Sequence, residues 1–360
     1  MKNFIAPLLL LLAVTPALAC NVTQSSGGPV VAKILSPQPF RVFQRNHKNV
    51  GRIAVTIQSS SPADCIEARL LRGGFFGSAL TPWTTVSSGA IDAPAGGWYQ
   101  MEIRAVKNGA AGAPATVDNV GVGEVFVIGG QSNASFFGRR PQQSRSNNVV
   151  FFDGQTWSQC RDPLTTVDTG KGGSPWCLLG DELERKWNVP IAFVPTAVGG
   201  SSMGQWQPGT PNLERMKQRL SFLQAEGARA ILWHQGETDV MVNTAGDQYE
   251  SQLRTLIQDS RKAAGFDIPF FVAEVTYPGT GFTNTTCAKR SDCKAFLAES
   301  RRQILAAQRD VVQPNLNIFT GSKSDELTGD QYRWDGIHMN EAGLQAHAEQ
   351  WLAVLAGAIK

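Results

Sequence analysis

The chain is 360 residues long, enough for two domains or for one domain carrying large insertions. It is 42% hydrophobic and 18% charged, an ordinary globular composition. Its net charge of +3 arises from well-mixed signs, which gives no ground for nucleic acid or an acidic polymer as partner.

Residues 1–19 read as a signal peptide. Lys2 supplies a positive n-region, Ile5 to Val14 an apolar h-region, and Ala17-Leu-Ala19 a small-residue cleavage site. The apolar run is too short to stay in a bilayer as an anchor, and no later stretch is long enough. The mature protein is therefore expected to be exported, periplasmic or secreted, with no membrane span. Cys20 directly after Ala19 also fits a bacterial lipoprotein box, except that Ala17 stands where Leu is usual. A lipid anchor at Cys20 is the alternative, with residues 20–28 as a flexible leader in either case.

Six cysteines in an exported chain suggest disulfides. Cys160 with Cys177 and Cys287 with Cys293 are the short-range candidates. Cys20 then pairs with Cys65 if it is not lipidated, and Cys65 is left unpaired if it is. There is no Cys-x-x-Cys and no His close to any Cys, so no metal site is expected.

Residues 29–118 read as an all-β domain. Ile53, Val55 and Ile57 alternate with smaller or polar neighbours, as do Tyr99, Met101, Ile103 and Ala105, the pattern of half-buried strands. Asn108-Gly109 is a turn signal, and Gly, Pro and Ser clusters separate the strands. A small β-sandwich is the expected architecture. Phe75, Phe76, Trp83 and Trp98 are available for a sugar-binding face or for packing.

From residue 119 to the C-terminus the rhythm becomes strand–helix alternation. Strands are expected at 122–128, 191–198, 229–234, 268–276 and 316–320. Amphipathic helices lie between them: Leu178/Leu179/Leu183/Trp187, Leu213/Met216/Leu220/Leu223 and Tyr249/Leu253/Leu256/Ile257 mark three. Two more run near 294–308 and 340–358. The expectation is α/β, a five-stranded parallel sheet with helices on both faces. Residues 136–175 form a long irregular insertion, a length usually put to functional use.

Ser132 closes Val125-Phe-Val-Ile-Gly-Gly-Gln-Ser132. Four apolar residues make a buried strand, Gly129-Gly130 ends it, and the hydroxyl sits where open α/β sheets put ligands. A serine nucleophile needs a base, an orienting acid and oxyanion donors. Of four histidines, His47 lies in a polar turn and His347 inside the last helix. His234 ends a strand in Trp233-His-Gln-Gly-Glu237, and His338 follows Asp335 in the loop before the last helix. His338 can meet Ser132 over the sheet edge, with Asp335 three residues earlier to orient the ring.

Gly130-Gln-Ser-Asn133, Gly199-Gly-Ser-Ser202, Trp233-His-Gln-Gly-Glu237 and Asp335-x-x-His338 occur in that order. Together they resemble the SGNH (GDSL-like) hydrolase superfamily, in its branch of sialate O-acetylesterases and family-six carbohydrate acetylesterases. The resemblance implies a flavodoxin-like three-layer hydrolase domain and a serine esterase that removes O-acetyl groups from carbohydrate, without metal or cofactor. It implies Ser132 as nucleophile, His338 as base and Asp335 as acid. The oxyanion donors would be the N–H groups of Ser132 and Gly200 and the Gln235 side chain. Glu237 is a possible second acid or loop brace. Trp206 and Asn133 are candidates for substrate contact. A carbohydrate-binding protein on an inactive frame, or a lipase or thioesterase of the same superfamily, are the alternatives.

Overall fold

The computed structural model describes residues 20–73, 78–164, 167–223 and 227–359. The expected signal peptide and the aromatics Phe75 and Phe76 lie outside these residues. The chain forms two compact units. Residues 20–38, 52–92 and 99–118 make the smaller; 39–51, 93–98 and 119–359 make the larger. A single boundary near residue 118 therefore does not describe the division. Val42-Phe-Gln44 pairs in parallel with Gly121-Val-Gly123, and Phe40 packs edge-on against Trp98 at 5.7 Å, which draws both short stretches into the larger unit.

In the smaller unit, Val31–Ser36 pairs antiparallel with Thr56–Ser59. Cys65–Arg72 pairs antiparallel with the strand through Tyr99 to Val106, Leu70 opposite Met101. Met101, Ile103 and Ala105 are fully buried, as their alternation requires. Asn108 and Gly109 turn the chain with φ of 50° and 76°. The guanidinium groups of Arg69 and Arg104 both lie over the ring of Trp83, 4.6 and 4.1 Å from its centre. Cys20 is joined to Cys65, and a sulfur so engaged has no bond left for a lipid.

The larger unit is built on a seven-stranded sheet. Its strands are β1 (Ala115–Gly130), β2 (Val149–Phe152), β3 (Trp157–Gln159), β4 (Ile191–Pro195), β5 (Ala230–His234), β6 (Phe270–Val272) and β7 (Ile318–Thr320). The order is β3-β2-β4-β1-β5-β6-β7. All neighbours are parallel except β2 with β3. The five expected strands thus run in the flavodoxin-like order, and the insertion expected to be irregular adds two more at one edge.

Helices α1 (Trp176–Trp187), α2 (Pro211–Leu223), α3 (Glu237–Val242), α4 (Gly246–Ala264), α5 (Thr280–Lys289), α6 (Cys293–Val311) and α7 (Glu341–Ala358) surround the sheet. Successive residues of β1 point to opposite faces. Val125 and Val127 join a core with Leu213 of α2, Leu253 of α4 and Ile304 of α6. Phe126 and Ile128 join another with Leu183 of α1 and Trp351 of α7. Both faces are covered, so the strand reads apolar at every position. Each fully buried side chain of this kind contributes roughly 1.5–3 kcal/mol. Among the described residues, no helix is long and apolar enough to cross a membrane.

Candidate active site

β1 lies between β4 and β5, so the direction of strand addition reverses at its C-terminal end. That is where parallel α/β sheets open a crevice, and Ser132 stands there. Gly130 has φ 129°, and a Cβ on it would meet the His234 carbonyl oxygen at 2.0 Å, so glycine is obligatory. The Gln131 N–H donates to that oxygen at 3.0 Å. Ser132 then begins a single 3-10 turn, Ser132–Ala134, whose end is held by the Trp176 indole N–H on the Ala134 carbonyl at 2.8 Å.

The second element is the loop Asp335–His338 ahead of α7. The His338 imidazole Nδ1 pairs with Asp335 Oδ2 at 2.6 Å. The other carboxylate oxygen accepts the N–H groups of Ile337 at 3.0 Å and His338 at 2.7 Å. Partial burial pushes the Asp335 carboxyl upward, but these hydrogen bonds outweigh it and hold the group below the usual carboxylate range. Gly336 has φ 82°, and a Cβ there would collide with Thr280 Oγ1. The imidazole is thereby held through Nδ1, and among the described residues no hydrogen bond engages its Nε2.

Asn133 ties the two loops together. Its Nδ2 donates to the Ile337 carbonyl at 3.3 Å and to Glu237 Oε1 at 2.9 Å. Phe137 lies against the His338 ring at 5.3 Å, 27° from parallel. Among the described residues no hydrogen bond joins Ser132 Oγ to His338 Nε2; such bonds commonly close only with substrate in place. No hydrogen bond or ion pair joins Glu237 to His338 among the described residues. Glu237 is buried, its Oε2 has no partner, and burial raises its pKa to about 7 against the opposing pull of Asn133. Asn133 is thus a brace between loops, with Glu237 behind it.

Arg333, 2% exposed, also fastens the histidine loop. Its guanidinium donates to the carbonyls of Leu327 at 2.5 Å, Ser324 at 3.0 Å and Ile337. Nothing in the sequence distinguishes this arginine from the other cations of the chain; its role appears only once the loop is folded.

Gly200, on the loop after β4, has φ 69° and open space where a Cβ would stand. Asp168, from the insertion, accepts the Gly199 N–H and the Ser135 hydroxyl, both at 2.8 Å. One carboxylate oxygen thus couples the end of the Ser132–Ala134 turn to the Gly199-Gly200 loop.

Two expected roles need correction. Gln235 is not free to meet an oxyanion. Its Nε2 donates to the Ser201 carbonyl at 3.1 Å, to Gln131 Oε1 at 3.3 Å and to Asp239 Oδ2, so its two hydrogens are already spoken for. Trp206 is fully buried, edge-on to Trp233 at 5.0 Å, with its indole N–H on Ser201 Oγ at 2.9 Å. It props the Gly200 loop from beneath and cannot stack on a ligand.

The exposed aromatic at the site is Trp334, which the sequence reading passed over. It is 50% exposed, and its indole N–H donates to the Phe137 carbonyl at 3.3 Å. Its backbone N–H donates to the His338 carbonyl at 3.0 Å. Two disulfides, Cys160–Cys177 and Cys287–Cys293, close loops of the same unit. Among the described residues, no cluster of three or more His, Cys, Asp or Glu is gathered as a metal cradle.

Residues 122–345 match the sequence profile of the carbohydrate esterases known as sialic acid-specific acetylesterases. A probable carbohydrate esterase of Arabidopsis thaliana is 25% identical over 163 residues, 38% of this chain and 63% of that protein. The match therefore spans less than two thirds of that relative. Its solved structure superposes with a TM-score of 0.51 at 19% identity, covering 65% of this chain and 96% of that one. A carbohydrate acetylesterase from Xanthomonas citri superposes at 0.53 and 18% identity, covering 91% of this chain and 74% of its own. At these identities the likeness establishes the fold.

Proposed function

The chain belongs to the carbohydrate esterase family of sialic acid-specific acetylesterases, and from that premise we propose that it removes O-acetyl groups from a carbohydrate by serine catalysis. The reading rests above all on the Asp335–His338 pair, held at 2.6 Å in a loop that Asn133 fastens to the nucleophile's turn.

In this mechanism Ser132 Oγ attacks the acetyl carbonyl carbon while His338 Nε2 takes its proton. Asp335 holds the ring and stabilises the imidazolium. The oxyanion is met by the backbone N–H groups of Ser132 and Gly200. Collapse breaks the bond to the sugar oxygen, which leaves with the proton from His338. Water, deprotonated by His338, then attacks the acetyl-enzyme, and acetate departs as Ser132 regains its proton. Gln235 holds Ser201 and Asp239, and so keeps the Gly200 loop in place. Trp334 takes the role expected of Trp206: a half-exposed indole, held on the Phe137 carbonyl in the loop that carries His338, suits the apolar face of a sugar ring. The three disulfides suit an oxidising compartment, in keeping with export.

Acetate release from p-nitrophenyl acetate and from acetylated oligosaccharides tests the reading. Ser132→Ala should abolish both while circular dichroism stays unchanged; near-normal turnover in that variant overturns the assignment. Trp334→Ala should raise KM for the oligosaccharide more than it lowers kcat, and an unchanged KM removes Trp334 from the substrate site.

A further inference from the structure

Phe137 stands between the two loops that the reaction needs. Its ring lies 5.3 Å from the His338 imidazole, centre to centre and 27° from parallel, the offset stack that aromatic rings prefer. One edge of the ring meets the other loop. A Cβ on Gly199 would come within 2.5 Å of both Cε2 and Cζ, so the ring reaches that backbone only because the residue is glycine. On a third side, a Cβ on Gly170 of the insertion would lie 3.0 Å from Cδ2. The ring is therefore bounded by the base, by the loop that carries Gly200, and by the insertion.

The backbone of this segment is held just as closely. The Phe137 carbonyl accepts the Trp334 indole N–H at 3.3 Å. The N–H of Arg139, two residues on, donates to the Met339 carbonyl at 2.9 Å. Trp334 and Met339 flank Asp335–His338 in the sequence, so the segment is tied to the catalytic loop on both sides of the base. Between these ties, Gly138 and Gly173 exchange N–H to carbonyl bonds, each at 2.9 Å. The placement of the ring is thus set before substrate arrives. Asp335 engages the imidazole at its edge, through Nδ1. The faces of the imidazole are left to other partners, and Phe137 covers one of them.

We propose that Phe137 is a positioning residue for the catalytic base: it holds the imidazole plane, and its π-face stabilises the imidazolium formed when Ser132 gives up its proton. This rests on the esterase reading above, and it adds to that reading a side chain with no hydrogen bond of its own. While the imidazole is neutral, the stack is an ordinary apolar contact. When Nε2 takes the Ser132 proton, positive charge spreads over the ring that faces Phe137. At 5.3 Å that charge lies inside the roughly 6 Å over which a cation is drawn to an aromatic face. The attraction is therefore stronger in the transition state than in the free enzyme, which is the condition for it to raise the rate. Asp335 and Phe137 act on the same charge, one at its edge and one on its face.

The deciding comparison places 3-methylphenylalanine or 3-chlorophenylalanine at position 137 of the full-length protein. The two substituents are close in size, so any packing cost is shared, but methyl enriches the π-face and chlorine depletes it. With p-nitrophenyl acetate, kcat should be about threefold higher for the methyl ring than for the chloro ring, with similar KM. Phe137→Leu keeps an apolar body and loses the π-face. It should lower kcat and kcat/KM together, by about tenfold, as loss of an interaction made only in the transition state does. Equal kcat for the methyl and chloro proteins overturns the role on the imidazolium, even where Phe137→Leu is slow. If the wild type is active, that equality leaves the esterase reading standing; a wild type that hydrolyses no ester takes both down. Should circular dichroism show Phe137→Leu unfolded, the methyl and chloro pair still decides.

Discussion

Asp335 and Glu237 both bear on the loop that carries His338, and their surroundings push them in opposite directions. Hydrogen bonds keep Asp335 ionised despite partial burial, whereas burial raises Glu237 to about 7. Asp335→Asn should lower kcat by about a thousandfold or more, through loss of imidazolium stabilisation and of the right tautomer. Glu237→Gln keeps an oxygen for Asn133 and should cost less, about tenfold to a hundredfold. If Glu237→Gln is the more damaging, the acid role moves to Glu237. The two also differ in stability against pH. A carboxyl whose folded pKa is raised holds its proton in the folded state while the unfolded chain has released it. Its linkage therefore lowers stability as pH rises from about 4.5 to about 7. Glu237→Gln removes that fall, so its melting temperature should gain on wild type across this window. The Asp335–His338 pair was legible because its motif is local in sequence. Trp206 and Trp334 were not separable, since exposure is decided by tertiary packing: a Gly- and Gln-rich loop hides one, and a polar run displays the other.

β1 enters the sheet through Glu124, which is fully buried. Its carboxylate takes Arg45 Nε at 2.6 Å, Arg229 Nε at 2.6 Å and Gln44 Nε2 at 2.8 Å. This clamp fixes β1 against the segment before it and against β5, the strand pair that sets Ser132 beside His234. Glu124→Ala should destabilise the larger unit by about 3 kcal/mol, because two guanidinium groups lose their counter-charge. Urea denaturation followed by tryptophan fluorescence would measure it, and a change below about 1 kcal/mol would sink the clamp. Elements with an apolar stripe or run were readable from sequence, which is why α1, α2, α4, α6, α7 and five strands of the larger unit were anticipated. α5 buries no side chain and α3 is six residues long, so neither carries a helical hydrophobic period. β2 and β3 lie in an insertion whose Gly and Pro content masks them.

At the scale of the whole molecule, the two buried histidines are expected to set the acid limit. His234 and His347 lie 4.7 Å apart ring to ring. Burial, aided by the charge of Arg333, lowers His234 to about 3. Burial, with His234 and Arg333 nearby, lowers His347 well below the ordinary histidine range. Each therefore stays neutral in the fold while the unfolded chain gains a proton below about pH 6.5, so their contribution is present above that pH and is lost as pH falls. Glu237 and Asp162, both raised to about 7 by burial, act in the opposite sense between about pH 4 and 7. The slopes offset one another between about pH 4.5 and 6.5, where the melting temperature should vary little. Below about 4.5 those carboxyls are protonated in both states, while the histidines still drive unfolding, aided by loss of the Asp335–His338 pair. The melting temperature should then fall steeply. His347→Gln tests this directly, because its side-chain oxygen can still accept the Trp351 indole N–H that His347 Nε2 receives at 3.0 Å. Melting curves from pH 3.5 to 8 should show a shallower acid limb in the variant. An identical limb would mean that the histidine pair does not set the acid limit.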